Sequence, residues 1–170
     1  MRTRSGQNRT ITLVESSPAG QLQQAVKTIS YAKPGDAIDQ SFPHLFDLAA
    51  GKEIPLEHSV WDNPWANDHG AWSADGTVFR FVHNRRGHQV LRLVAIEAAT
   101  GKATVLADEA SATFIDYAHK FHLDIIEESG WFIWMSESDG WNHLQLRDLK
   151  TGREIRCLTP GPWVVRSVVS

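Results

Sequence analysis

Polar and apolar residues alternate along much of this chain with a period of two. Phe79-Arg80-Phe81, Leu91-Arg92-Leu93, Leu144-Gln145-Leu146 and Ile155-Arg156-Cys157-Leu158 are examples. That period places successive side chains on opposite faces of a strand. Residues 10–14 and 26–32 are predicted as further strands. Helix signals are poor. A short helix over residues 21–28 would run into the β-branched stretch Val26-Lys27-Thr28-Ile29, and Pro64 interrupts residues 57–69. Pro34-Gly35-Asp36 and residues 64–70 are predicted loops. The chain is therefore predicted to be nearly all-β.

The pattern repeats. Asp47 to Ile54, Glu97 to Val105 and Asp148 to Ile155 each run from an acidic residue, through a turn closing on Gly and Lys or Arg, into a second strand. The turn glycines, Gly51, Gly101 and Gly152, stand 50 and 51 residues apart. A second set agrees: Phe79, Phe81, Gly87, Leu91 and Leu93 recur 53 residues later as Phe132, Trp134, Gly140, Leu144 and Leu146. A unit of about 50 residues built of short strands and Gly turns suits a four-stranded β-propeller blade. The prediction is a partial β-propeller of about three four-stranded blades, with blade-like units near residues 10–57, 71–108 and 120–160. Within it Asp75-Gly76 and Asp139-Gly140, the latter followed by Trp141, form turns, and Trp72 and Trp134 are expected to pack between blades.

Three blades do not close a ring, since propellers generally use four or more. Either several copies assemble, giving a homo-oligomer, or the chain is a piece of a longer polypeptide. The apolar, β-prone residues 164–170 at the C-terminus favour the second outcome.

Composition narrows the function classes. The 170 residues are 42% hydrophobic and 22% charged, which suits a globular domain and excludes a disordered or collagen-like chain. A net charge of −3 leaves no basic footprint for nucleic acid. No apolar run is long enough to span a membrane, and no apolar segment follows the basic N-terminus as a secretory signal requires. One cysteine, Cys157, permits no internal disulfide. Its place in an alternating strand makes it a small core residue. The compartment stays open.

Candidate chemistry is sparse. His83 with His88, and His119 with His122, are the closest histidine pairs, but they lack the third ligand and the helical spacing of a zinc site. No metal or cofactor is expected. Arg85-Arg86 is expected to be a solvated loop, and Glu127-Glu128 a solvated turn before Ser129-Gly130.

Specific words in the chain resemble the N-terminal β-propeller of dipeptidyl peptidase IV-type enzymes, of the prolyl oligopeptidase family of serine peptidases. They are Trp72-Ser73-Ala74-Asp75-Gly76, residues 13–18, 31–36, 84–90, 113–117 and 163–165, and above all Ser136-Glu137-Ser138-Asp139-Gly140-Trp141-Asn142-His143-Leu144. The family commonly has Pro at the position of Ala74 and Arg at that of Ser138. The resemblance implies a propeller that admits and positions peptide substrates beside an α/β-hydrolase domain, mainly C-terminal, which holds a Ser-Asp-His triad. It also implies proteins that are often exported or periplasmic. This chain has no Gly-x-Ser-x-Gly elbow, so no catalytic residue is assigned. The family's glutamate pair for the substrate's amino terminus precedes the stretch matched by residues 31–36. Here only Glu15 precedes it, so no substrate-binding residue is assigned either. Alone, the chain is expected to be inactive as a peptidase.

Overall fold

A computed structural model describes residues 1–169. The strands are β1 (Arg2–Arg4), β2 (Thr10–Glu15), β3 (Ala25–Ser30), β4 (Gln40–Phe42), β5 (Leu45–Asp47), β6 (Lys52–Ile54), β7 (Pro64–Trp72), β8 (Val78–Arg85), β9 (Val90–Glu97), β10 (Ala103–Ala110), β11 (Leu123–Ile126), β12 (Trp131–Ser136), β13 (His143–Asp148) and β14 (Glu154–Cys157). Two short 3₁₀ turns, His58–Trp61 and Glu127–Ser129, are the only helical elements among the described residues. None of these is long and apolar enough to cross a membrane.

The chain is a partial β-propeller. Strands β7 to β10 form a four-stranded antiparallel meander, the central sheet, and β11 to β14 form a second, the C-terminal sheet. The N-terminal unit departs from the four-stranded pattern: β1–β4, β2–β3 and β5–β6 are separate two-stranded ladders. Strands β5 and β6 have only three residues each, too few to extend a wide sheet. Residues 25–28 are strand, because the β-branched side chains of Val26 and Thr28 favour the pleated backbone over a helix. Residues 64–70, expected as a loop, form most of β7. Pro64 is tolerated there because it is the first residue of an edge strand. Two register shifts, between Pro64 and Ala66 and between Asp68 and Ala71, absorb the irregular residues. Residues 164–169 form no strand; the Val165 N–H donates to the Asn142 carbonyl at 2.8 Å. Ser170 lies outside the described residues.

The core lies between successive sheets. On one face of the central sheet Val82, Leu91, Leu93, Leu106 and Ala107 receive Phe132, Trp134 and Leu149 of the C-terminal sheet. On its other face Phe81, Val94 and Ile96 pack with Trp61, flanked by Phe42, Leu45 and Leu56 of the N-terminal unit. Phe81 and Trp134, related by the 53-residue repeat, are both fully buried. Each therefore turns toward the unit before it. Burying a side chain of this size contributes about 2–3 kcal/mol.

The repeated turn glycine has the same logic. Gly152 has a φ of +73°, and a Cβ there would meet the Leu106 carbonyl oxygen of the central sheet at 2.2 Å. At Gly101, with φ +72°, a Cβ would meet the Pro55 carbonyl oxygen at 2.4 Å. Gly51 has positive φ but nothing near it. Gly51→Ala should cost about 1 kcal/mol from backbone strain alone. Gly152→Ala should cost clearly more, roughly 3 kcal/mol, because backbone must also move. Urea melts of the two variants check this; equal losses would refute the sheet-contact role.

His83 sits fully buried on β8, its Nδ1 bonded to Asn67 Oδ1 at 2.9 Å. Burial, with the nearby Arg92 charge second, lowers its pKa to about 4. The unfolded chain takes up this proton near pH 6.5. The stabilisation is thus complete above pH 6.5 and is lost as pH falls through 4, a difference of about 3 kcal/mol. Melts between pH 7 and 4 should show a smaller acid loss for His83→Gln than for the parent chain.

Candidate functional site

Where the turns β8–β9 and β12–β13 meet the loop of residues 111–122, a cleft of about 350 Å³ opens between the two sheets. Its walls include Asp108, Phe114, Lys120, Glu137, Ser138 and Asn142. Lys120 Nζ donates to Glu137 Oε1 at 2.6 Å, and Arg92 Nε to Asp108 Oδ1 at 2.9 Å. Asn142 is 1% exposed; its Nδ2 donates to the Val165 carbonyl, while its Oδ1 accepts nothing.

Beside the cleft an aromatic group gathers around His88. The His88 ring stacks on Tyr117 at 4.5 Å and meets the edges of Trp65 at 5.2 Å and Phe114 at 5.7 Å. Its Nδ1 lies 3.0 Å from Asn84 Oδ1, and burial lowers its pKa, which favours the neutral ring. Trp65 and Phe114 are about half exposed. The arrangement sets apolar ring surface beside two ion pairs.

A hydroxyl meets an imidazole at Thr159 Oγ1, 3.3 Å from His143 Nδ1, with Asp139 Oδ2 at 3.8 Å from His143 Nε2. The second distance exceeds a hydrogen bond. His143 is 2% exposed, and the Thr159 hydroxyl accepts the Leu144 N–H. These contacts hold the end of β13 in place.

The sequence-predicted residues take structural positions. Asp75 Oδ1 accepts the Ser73 hydroxyl and both donors of Thr77, and these hydrogen bonds lower its pKa to about 2. Asp139 Oδ1 accepts the Trp141 N–H at 3.0 Å. Gly76, Gly87 and Gly140 all adopt positive φ in turns. Trp141 is 43% exposed at the cleft end, and Trp134 is buried between the sheets. Trp72 lines a cavity with His44, Leu45 and Leu56 of the N-terminal unit and rests on Phe79, but it stays half exposed there, because the narrow N-terminal ladders do not cover it. Arg85 pairs with Asp62 at 3.1 Å across exposed surface. Cys157 is half-buried, opposite Gln145 on β13. Among the described residues no three His, Cys, Asp or Glu side chains gather as metal ligands do.

Two polar residues gain a role the sequence did not signal. Glu127, expected in a solvated turn, pairs with Arg80 of the central sheet. Trp134 Nε1 donates to Glu109 Oε1 at 3.0 Å across the same interface. Arg80 looks like an outward polar position in Phe79-Arg80-Phe81. It is buried because both faces of the central sheet are covered.

A family model, the dipeptidyl peptidase IV (DPP IV) N-terminal region, matches residues 1–170. Among solved structures, dipeptidyl peptidase 4 of Porphyromonas gingivalis superposes with a TM-score of 0.60 at 17% identity. The match covers 91% of this chain and 22% of that one, and at this identity it establishes shared fold alone. Together with the repeated sheets, the full-length family match shows that the chain belongs to the dipeptidyl peptidase IV N-terminal region family.

Proposed function

We propose that this chain is the propeller part of a dipeptidyl-peptidase-like serine peptidase, which admits and positions small peptides without performing the chemistry. The family match over residues 1–170 carries this reading. It is supported by a cleft between sheets that is lined with aromatic and charged side chains. In this reading an α/β-hydrolase domain supplies the triad. Amide hydrolysis runs there through an acyl-enzyme: the serine oxygen bonds to the carbonyl carbon, the amine leaves with a proton, and water releases the acyl group. The propeller's contribution is orientation and exclusion of larger substrates. The purified 170-residue chain should hydrolyse Xaa-Pro chromogenic dipeptides at background rate only. Turnover that a serine-reactive fluorophosphonate abolishes would overturn the assignment.

A second reading is a self-assembling propeller module. One observation favours it: the C-terminal sheet leaves Ile126, Trp131 and Ile155 substantially exposed, apolar surface that another copy would bury. Multi-angle light scattering separates the two readings. A discrete dimer or trimer supports assembly, and a monomer at all concentrations excludes it.

A further inference from the structure

The 3₁₀ turn His58–Trp61 joins the N-terminal unit to the central sheet. Trp61 is fully buried, and its ring meets Phe81 edge-on at 5.5 Å. Its indole N–H donates to Nδ1 of His58 at 2.9 Å. His58 itself is exposed, so this buried donor ends on a ring that protons reach freely. An indole nitrogen only donates, so His58 Nδ1 accepts and the hydrogen of the neutral ring sits on Nε2. A further proton has one place to go, Nδ1 itself. The imidazolium sets N–H against N–H, and the buried indole loses its acceptor.

The neighbours decide how readily that proton is taken up. His44, in the β4–β5 connection, faces His58 with ring centroids 6.0 Å apart, and Phe42 of β4 meets it edge-on at 5.6 Å. Glu53 of β6 holds His44 Nδ1 at 2.5 Å and lies 3.8 Å from Arg2 of β1. At the start of the turn Glu57 accepts the Ser59 hydroxyl at 2.8 Å. From the central sheet Arg92 donates to the Val60 carbonyl at 3.1 Å, and Arg85 pairs with Asp62 just past the turn. Partial burial first, and the His44 charge second, lower the His58 pKa from its ordinary 6.5, against the pull of Glu53. The neutral ring, and with it the Trp61 bond, is therefore complete above pH 6.5 and is lost as pH falls through the lowered pKa.

We propose that the His58–Trp61 hydrogen bond is a proton-operated latch: closed at neutral pH, it fastens the 3₁₀ turn and the β5–β6 ladder to the central sheet, and acid opens it. The ladder moves with the turn because Leu45 of β5 packs on the Trp61 cluster. Strand β4 stays tethered, since Asn67 Nδ2 still donates to the Ser41 carbonyl at 2.7 Å. Opening uncovers the face of the central sheet that carries Phe81, Val94 and Ile96. The latch does not depend on the peptidase reading.

Hydrogen exchange of the tryptophan indoles in the 170-residue chain reads the latch. Protection is measured at pH 7 and pH 5, above the value near 4 at which the buried His83 takes its proton. Trp61 protection should fall about tenfold, the weight of one buried hydrogen bond. Trp134 is the internal control and should keep its protection: its indole ends on Glu109, and a carboxyl group retains an acceptor oxygen in either protonation state. His58→Asn leaves an amide oxygen near the place of Nδ1 and should hold Trp61 protection constant over the same range. Should that variant not fold, long-range ¹⁵N spectra of the parent His58 ring replace it: Nδ1 should be the bare nitrogen at pH 7 and should gain its proton with the same midpoint as the Trp61 loss. Equal losses at Trp61 and Trp134, a step that survives in His58→Asn, or a Trp61 midpoint that differs from that of Nδ1 overturns the proposal.

Discussion

The packing of Phe132 and Trp134 against Val82, Leu93 and Leu106 is the contact on which the rest of this structure depends. A single four-stranded meander has two faces and cannot hide both. Stacking the next meander on it converts an exposed face into core, and the same step is repeated by Phe81 against Trp61 on the other side of the central sheet. Close approach is possible because the hairpin turn at Gly152 has no side chain to hold it off the Leu106 backbone.

Apolar packing alone does not fix how far one sheet slides over another. Two polar contacts supply that register. The Trp134 indole N–H finds Glu109 across the interface, so a large apolar ring is buried without orphaning its donor. Arg80 and Glu127 make a second crossing. Around these contacts the packed faces part at either end. A cleft forms at each end, lined by residues from both sheets. Neither sheet alone would have either cleft.

Strands and turns divide the labour in this chain. Strand-borne side chains are spent on packing, and turns at the sheet ends are free to vary. His88, Tyr117 and Phe114 come from a β-turn and a long connection, positioned by rigid sheets on both sides. In such a scaffold a histidine can serve packing as well as chemistry. His83 and His143 are both buried on strands, each with its Nδ1 beside a hydrogen-bonding side chain.

Strand period, turn glycines and the 50-residue repeat were legible in the sequence because they are local. Alternation needs only neighbouring residues, and a positive φ is demanded by the turn itself. Phe81 and Trp134 could be matched by spacing without coordinates. The sequence alone thus determined an all-β chain of repeated meanders, and its motif words pointed to the family. Tertiary structure decided what depends on two sheets meeting. It made an edge strand of residues 64–70, left Trp72 on the rim and divided the first unit into ladders. It also buried Arg80 and gave Glu127 a partner 47 residues away. Those outcomes turn on which face finds a covering neighbour, and a periodic pattern of side chains is the same whether or not that neighbour is there.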